Sequence, residues 1–175
     1  MTEIIDLYDN ACRFMRTIEY GAPVVDGLNR YSVHLWFVNS KSQILLQQRV
    51  HNGHKYADMW CHTGGGMQHG EDSWSTATRE CVEEIGIAPD INNAVFIGTF
   101  HRAHKFVDVW MITQDVDLDT LHLQDAEVQS IQWADIKRLY EIHKMGLFMP
   151  TAWVGCKMML KYMERVYGVN IDAEI

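Results

Sequence analysis

Residues 65–87 read GGMQHGEDSWSTATRECVEEIGI, with a further glycine, Gly64, just ahead of them. Glycines crowd the start of this stretch, and a helical pattern begins directly after them. Asp72 or Ser73 is placed to cap a helix and Gly86 to stop it, which predicts a helix from about Ser73 to Ile85. Trp74, Ala77, Thr78, Cys81 and Ile85 fall on one side at helical spacing and form a packing face. Glu80, Glu83 and Glu84 stand at i, i+3 and i+4, where side chains are neighbours. Like charges there repel, and Arg79 is the one cation among them. The trio reads either as a solvated acidic face or as hard oxygen ligands for Mg²⁺ or Mn²⁺. The glycine stretch divides the same way, into an ordinary flexible turn or a loop whose N–H groups approach phosphate oxygens. Gly65-x4-Gly70 has the spacing of a P-loop, but Glu71 and Asp72 follow in place of Lys and Ser or Thr. The charge is inverted, and a divalent cation between carboxylates and phosphates would reconcile the two halves.

On either side the chain alternates strands and helices. Val33, Leu35 and Phe37 interleave with His34, Trp36 and Val38, which suggests a strand covered on both faces. A turn at 39–42 leads to a returning strand at 43–49, and residues 50–58 read as a loop. Strands are predicted at about 93–100 and 105–113, then a short one ending at Trp133 and a helix over about 134–143. Pro150 is read as opening a final helix that carries Trp153, Met158, Leu160 and Met163. The pattern is that of a mixed α/β domain. No repeat, charge block or Ser/Pro linker divides it, so residues 1–175 are read as one domain.

Composition limits what such a domain can do. Of 175 residues, 47% are apolar and only three are proline, which excludes a disordered chain. Fifteen Lys and Arg against twenty-three Asp and Glu give a net charge of −8. A broad grip on nucleic-acid polymers or anionic membranes needs a basic surface, so neither is an expected partner. The acidic start lacks the regions of a signal peptide, and no apolar run is long enough to cross a bilayer. Cys12, Cys61, Cys81 and Cys156 form no CxxC and read as reduced thiols. The expected location is cytoplasmic.

Taken as one pattern, Gly65, Glu71, Arg79, Glu80, Glu83, Glu84 and Gly86 resemble the complete 23-residue box of the Nudix family. Cys81 is a mild departure at an aliphatic position. Residues 5–9 (IDLYD), 34–39 (HLWFVN), 44–49 (ILLQQR), Met59-Trp60 and 127–133 are similar to the branch related to isopentenyl-diphosphate isomerase. The resemblance implies a Nudix α/β/α sandwich with a mixed β-sheet between helices. It also implies a Mg²⁺- or Mn²⁺-dependent hydrolase acting on a small-molecule diphosphate. Carried over by position, Glu80, Glu83 and Glu84 would be the metal carboxylates and the Gly65 carbonyl an added ligand. Glu71 would support the metal shell, and Arg79 would orient a carboxylate. The proton acceptor would be a box glutamate or Glu127. A homodimer is expected at the level of the family.

Two other activities bear on this reading. Isomerases of that branch carry a cysteine that aligns with Gly64 and a metal-binding histidine that aligns with Arg30, and their box is degraded where this one is intact. Hydrolysis is therefore favoured over isomerisation. A Nudix-fold module that binds nucleotide without turnover need not keep every metal carboxylate. The pairs His51-x2-His54, Cys61-His62 and His101-x2-His104 form no closed four-ligand zinc set. Gly64, Gly66, Arg49, His62 and His69 are expected to line the phosphate site, with Arg102 and Lys105 as contacts to outer phosphate charge. Nucleoside triphosphates, dinucleotides, nucleotide sugars and isoprenoid diphosphates all remain open as substrates.

Overall fold

The computed structural model describes residues 3–53 and 55–171. Strands β1 (Ile4–Tyr8) and β2 (Phe14–Glu19) form an antiparallel pair. The main sheet comprises β3 (Arg30–Val38), β4 (Ile44–Arg49), β5 (Trp60–Cys61), β6 (Ala94–Arg102), β7 (Lys105–Thr113) and β8 (Val128–Ala134). Three helices accompany it: α1 (Ser73–Ile85), α2 (Ile136–Lys144) and α3 (Trp153–Tyr167). β3 runs parallel to β7 from Arg30↔Lys105 to Val38↔Thr113, while β6–β7 and β4–β8 are antiparallel. The sheet is therefore mixed.

β3 decides the layers, because both of its faces are buried. Val33, Leu35 and Phe37 pack with Leu45 and Ile112 against Ala77, Cys81 and Ile85 of α1. Trp36 and Val38 point the other way, into a cluster with Leu139 and Ile142 of α2 and Cys156, Met159, Leu160 and Met163 of α3. Successive strand residues alternate between faces, so one apolar run feeds two cores. One helix covers one face and two cover the other, as the α/β/α reading expects.

The centre of the sheet is split. β3 and β4 meet only at Val38↔Ile44, and the chain from Trp60 to Gly66 enters the gap between them. It pairs first with β4 (Gln47↔Cys61, Gln48↔Trp60) and then with β3 (Leu35↔Thr63, Ser32↔Gly66). Gly64–Gly66 are thus bridged into the sheet, while Gly70 lies in the turn before the first helix.

Several predicted elements shift. Thr76, not Thr78, is the fully buried threonine of α1, because its hydroxyl bonds Glu71 Oε2 and the Asp72 carbonyl. Pro150 lies in the turn before α3, whose first residue is Trp153. β1, β2 and β5 were not anticipated: β2 is mostly exposed and β5 is two residues long, so neither carries a period to read. His54 of the zinc comparison lies outside the described residues. No helix among those described is long and apolar enough to cross a membrane.

Candidate active site

Helix α1 is fixed at both ends and along its length. Asp72 accepts from the Ser75 N–H at 2.7 Å and its own N–H donates to Ser75 Oγ at 2.9 Å, a reciprocal cap. Gly86 ends the helix in the left-handed conformation, φ 79°. Trp110 Nε1 of β7 donates to Ser73 Oγ at 2.8 Å and ties the first turn to the sheet. With Cys81 and Ile85 buried against β3, the carboxylates of Glu80 and Glu84 are carried to the glycine strand.

Glu84 is 2% exposed. Its Oε2 accepts from the Gly64 N–H and from Gln47 Nε2, each at 3.0 Å. Burial, reinforced by Glu80, pushes its pKa up to about 8; the Gly64 and Gln47 donors oppose the rise and Glu127 adds to it. Glu80 is raised to about 7, again first by burial, with Arg79 opposing and Glu83 and Glu127 adding repulsion. A Cβ on Gly65 would run into the Glu80 carboxylate, so only glycine lets that side chain lie against the strand. A Cβ on Gly64, where φ is 139°, would strike the Val33 carbonyl.

Arg79 organises the rest. It forks onto Glu71 (Nε–Oε1 2.6 Å, Nη2–Oε2 3.1 Å) and donates to Glu80 Oε1 (2.8 Å), Glu83 Oε2 (3.0 Å) and the Gly66 carbonyl (2.8 Å). Glu71 also accepts from the Gln68 N–H and the Thr76 hydroxyl, each at 2.9 Å. Burial works against its charge, yet Arg79, Gln68 and Thr76 together hold its pKa below the usual value. Three of these four hydrogen bonds fall on Oε2 and one on Oε1, so Glu71 holds Arg79 in place and keeps acceptor capacity on Oε1. The Gly65 carbonyl accepts from the Val33 N–H at 2.9 Å, which commits part of its capacity to the sheet.

The chemistry of this donor set fits a divalent cation. Two buried carboxylates repel one another, and burial disfavours the charge of each; hard oxygens in that state are what Mg²⁺ or Mn²⁺ takes. Glu80 and Glu84 are the residues able to hold it, with half-exposed Glu83 beside them. Among the described residues no three His, Cys, Asp or Glu side chains already converge as a cage, because Arg79 engages Glu80 and Glu83. Glu127, exposed on the turn before β8, is near enough to raise both Glu80 and Glu84.

The glycine strand also lines a cleft of about 880 Å³, together with Arg49, His34 and His62, among others. His62 is buried, stacks on His34 at 3.6 Å, and has Nδ1 2.9 Å from the Thr63 carbonyl. Burial pushes its pKa down to about 4, so it lines the cleft as a neutral ring. His69, expected at the phosphate site, is instead 2.8 Å from Asp6 of β1 and does not line the cleft. Gln47 and Thr63 escaped the sequence reading. Both are buried, and Thr63 Oγ1 donates to Gln47 Oε1 at 3.0 Å, which aims the Gln47 amide at Glu84. Their one signal is a polar residue at a core position of strand 44–49.

Carboxylates on a helix, set against a glycine strand that lines a cleft, make up a candidate metal-dependent enzyme site in this α/β/α sandwich. A family model for the NUDIX domain matches residues 28–152. The chain is 31% identical over 148 residues to an uncharacterized Nudix hydrolase of Listeria innocua, covering 84% of this chain and 88% of that one. A second, from Listeria monocytogenes, is 30% identical over the same shares. DR0079 of Deinococcus radiodurans superposes with a TM-score of 0.72 at 18% identity, over 89% of this chain and 99% of that one. The NUDIX domain of Shewanella oneidensis NrtR, solved with ADP ribose, gives 0.59 at 17% identity over 85% and 94%. At those identities the likeness is one of fold. The chain belongs to the Nudix family and is a Nudix hydrolase, a family whose common chemistry is metal-dependent hydrolysis of pyrophosphate linkages.

Proposed function

We propose that this protein hydrolyses the diphosphate linkage of a nucleoside diphosphate-like or other organic diphosphate, with Mg²⁺ or Mn²⁺ held by Glu80, Glu83 and Glu84. The observation that carries the reading is that one glycine strand meets both groups: the Glu80 and Glu84 carboxylates lie against it, and Gly64–Gly66 line the cleft. When bound, the cation supplies charge neutralisation for phosphate oxygens and lowers the pKa of a coordinated water. The chain's own residues do the remainder. Gly64–Gly66 present backbone at close range to the diphosphate, and Arg49 offers it a guanidinium. Arg79, locked by Glu71, orients Glu80 and Glu83. Glu127 lies in solvent beside the carboxylates, so it can accept the proton of the attacking water and pass it to bulk, which the sealed Glu84 cannot.

Cys61, the nearest thiol, does not reach the cleft; burial and the neighbouring Glu84 push its pKa up to about 12, against the opposing effect of Arg49. That argues against acid–base work by a cysteine, and hydrolysis is preferred to isomerisation. The test is a screen of nucleoside triphosphates, dinucleotides, nucleotide sugars and isoprenoid diphosphates with and without Mg²⁺, scored for phosphate or diphosphate release. Glu84→Gln is expected to lose at least about 100-fold in kcat and the Mg²⁺-induced rise in Tm, while its metal-free Tm is retained. Wild-type turnover in that variant would overturn the metal assignment.

A further inference from the structure

The cleft on the glycine strand is basic in an acidic protein. Arg30, Arg49, Lys55, Arg102 and Lys105 line it, five of the chain's fifteen lysines and arginines, and no aspartate or glutamate does. Strand register brings three of them together. Arg30 begins β3 and pairs with Lys105, which begins β7; Lys105 pairs across the β6–β7 hairpin with Arg102. Residues so paired lie about 5 Å apart, and like charges there are destabilising. Among the described residues none of these three has a carboxylate within ion-pair distance. Burial, then Arg30 and Arg102, push the Lys105 pKa down to about 8. Strand register holds three cations together, and no described carboxylate is their counter-ion.

We propose that Arg30, Arg102 and Lys105 form a second anion site, which binds a phosphate monoester carried by the substrate outside its scissile diphosphate. The inference rests on the hydrolase reading in placing the diphosphate at Gly64–Gly66. Gly65 is bonded to Val33, three residues along β3 from Arg30, or roughly 10 Å at 3.3 Å per residue. A sugar-sized spacer therefore separates monoester from diphosphate, and a cleft of about 880 Å³ accommodates a nucleoside-sized body. The two guanidinium groups suit the forked geometry of a phosphate, and Lys105 adds a point charge. Arg30 lies over the Tyr20 ring, 5.9 Å from its centroid, but an isoprenoid tail would offer none of the three a counter-charge.

Two matched pairs test this, each differing by one phosphate monoester: NADPH against NADH, and coenzyme A against dephospho-coenzyme A. Affinities are measured by calorimetry on the full chain in EDTA at low salt, independently of turnover. The expected result is about tenfold tighter binding of the phosphorylated member in at least one pair. That ratio falls to within about twofold in Arg102→Gln and in Lys105→Met, and persists in Lys161→Gln on α3, outside the cleft. Arg102 is exposed, so its variant tests the site without disturbing a core. Equal affinities in both pairs, or a preference that survives both cleft variants, would overturn the proposal. Hydrolysis of diphosphates in the screen without this discrimination sinks the second anion site alone. Discrimination without turnover of any diphosphate sinks the hydrolase reading and leaves the anion site standing.

Discussion

At the scale of single residues, neighbouring glycines have different duties. Gly65 makes room for the flexible end of Glu80, whereas Gly64 faces the Val33 backbone and has φ 139°. Gly65→Ala should fold and keep a near-native urea midpoint while losing about tenfold or more in kcat/KM, because it displaces Glu80. Gly64→Ala should cost about 2–4 kcal/mol, read from the same denaturation curves, since neither its dihedral nor the opposing carbonyl can yield cheaply. A Gly64→Ala protein of native stability would show that the strand does not sit as described. Glu127 and the box glutamates separate by a second pair of measurements. Glu127→Gln is expected to lower kcat about 100-fold with the Mg²⁺-induced Tm shift intact; loss of that shift would make Glu127 a ligand instead of a base. Spacing alone put the glutamates on one helix face and left open whether that face is solvated or ligates metal. Gln47 and Thr63 were not, because the pairing that aims them at Glu84 joins segments sixteen residues apart.

At the scale of elements, α1 is the part the sequence describes best. Its cap, its stop and its apolar face are local, and Asp72 caps it as predicted. Asp72→Ala should cost about 1 kcal/mol of stability through the lost cap, measured by chemical denaturation. The strand at 60–66 is the opposite case. Only two of its residues form a regular ladder, and glycine's weak strand preference hides the rest. It becomes a strand because β3 and β4 diverge and leave unpaired backbone on both sides, which the inserted segment satisfies. Just beyond this segment, His69 is tied to β1: its N–H bonds the Ile4 carbonyl and its ring meets Asp6.

For the whole molecule, acid sensitivity follows from the histidines under the cleft. His62 is held near pKa 4 by burial, with Arg49 assisting and the Thr63 carbonyl opposing. His34 is lowered by burial, by His62, and by Lys105 and Arg102. A folded-state pKa below the unfolded value of about 6.5 means that the contribution of His62 is complete above pH 6.5 and lost as pH falls toward 4. The stability difference between wild type and His62→Gln should therefore grow from pH 4 to pH 6.5, by roughly 3 kcal/mol. Glu80 and Glu84 titrate with opposite sign, but they do so in both proteins and cancel from the difference. A difference independent of pH would mean that His62 is solvated or paired in solution.

Residues 65–87 hold a net charge of −4, half of the chain's −8. Sequence alone determined that these carboxylates share a helix face after a glycine run, because helical spacing is a local property of the chain. It also determined the family. Only the tertiary structure decided that the glycines meet the carboxylates of Glu80 and Glu84 and also line a cleft with five cations. Arg30 meets Lys105 through a parallel pairing of strands far apart in sequence, and the β6–β7 hairpin adds Arg102. Charge along the chain is additive and can be counted, but which charges share a cleft depends on the pairing of β3 with β7, strands joined by no local turn that could set it.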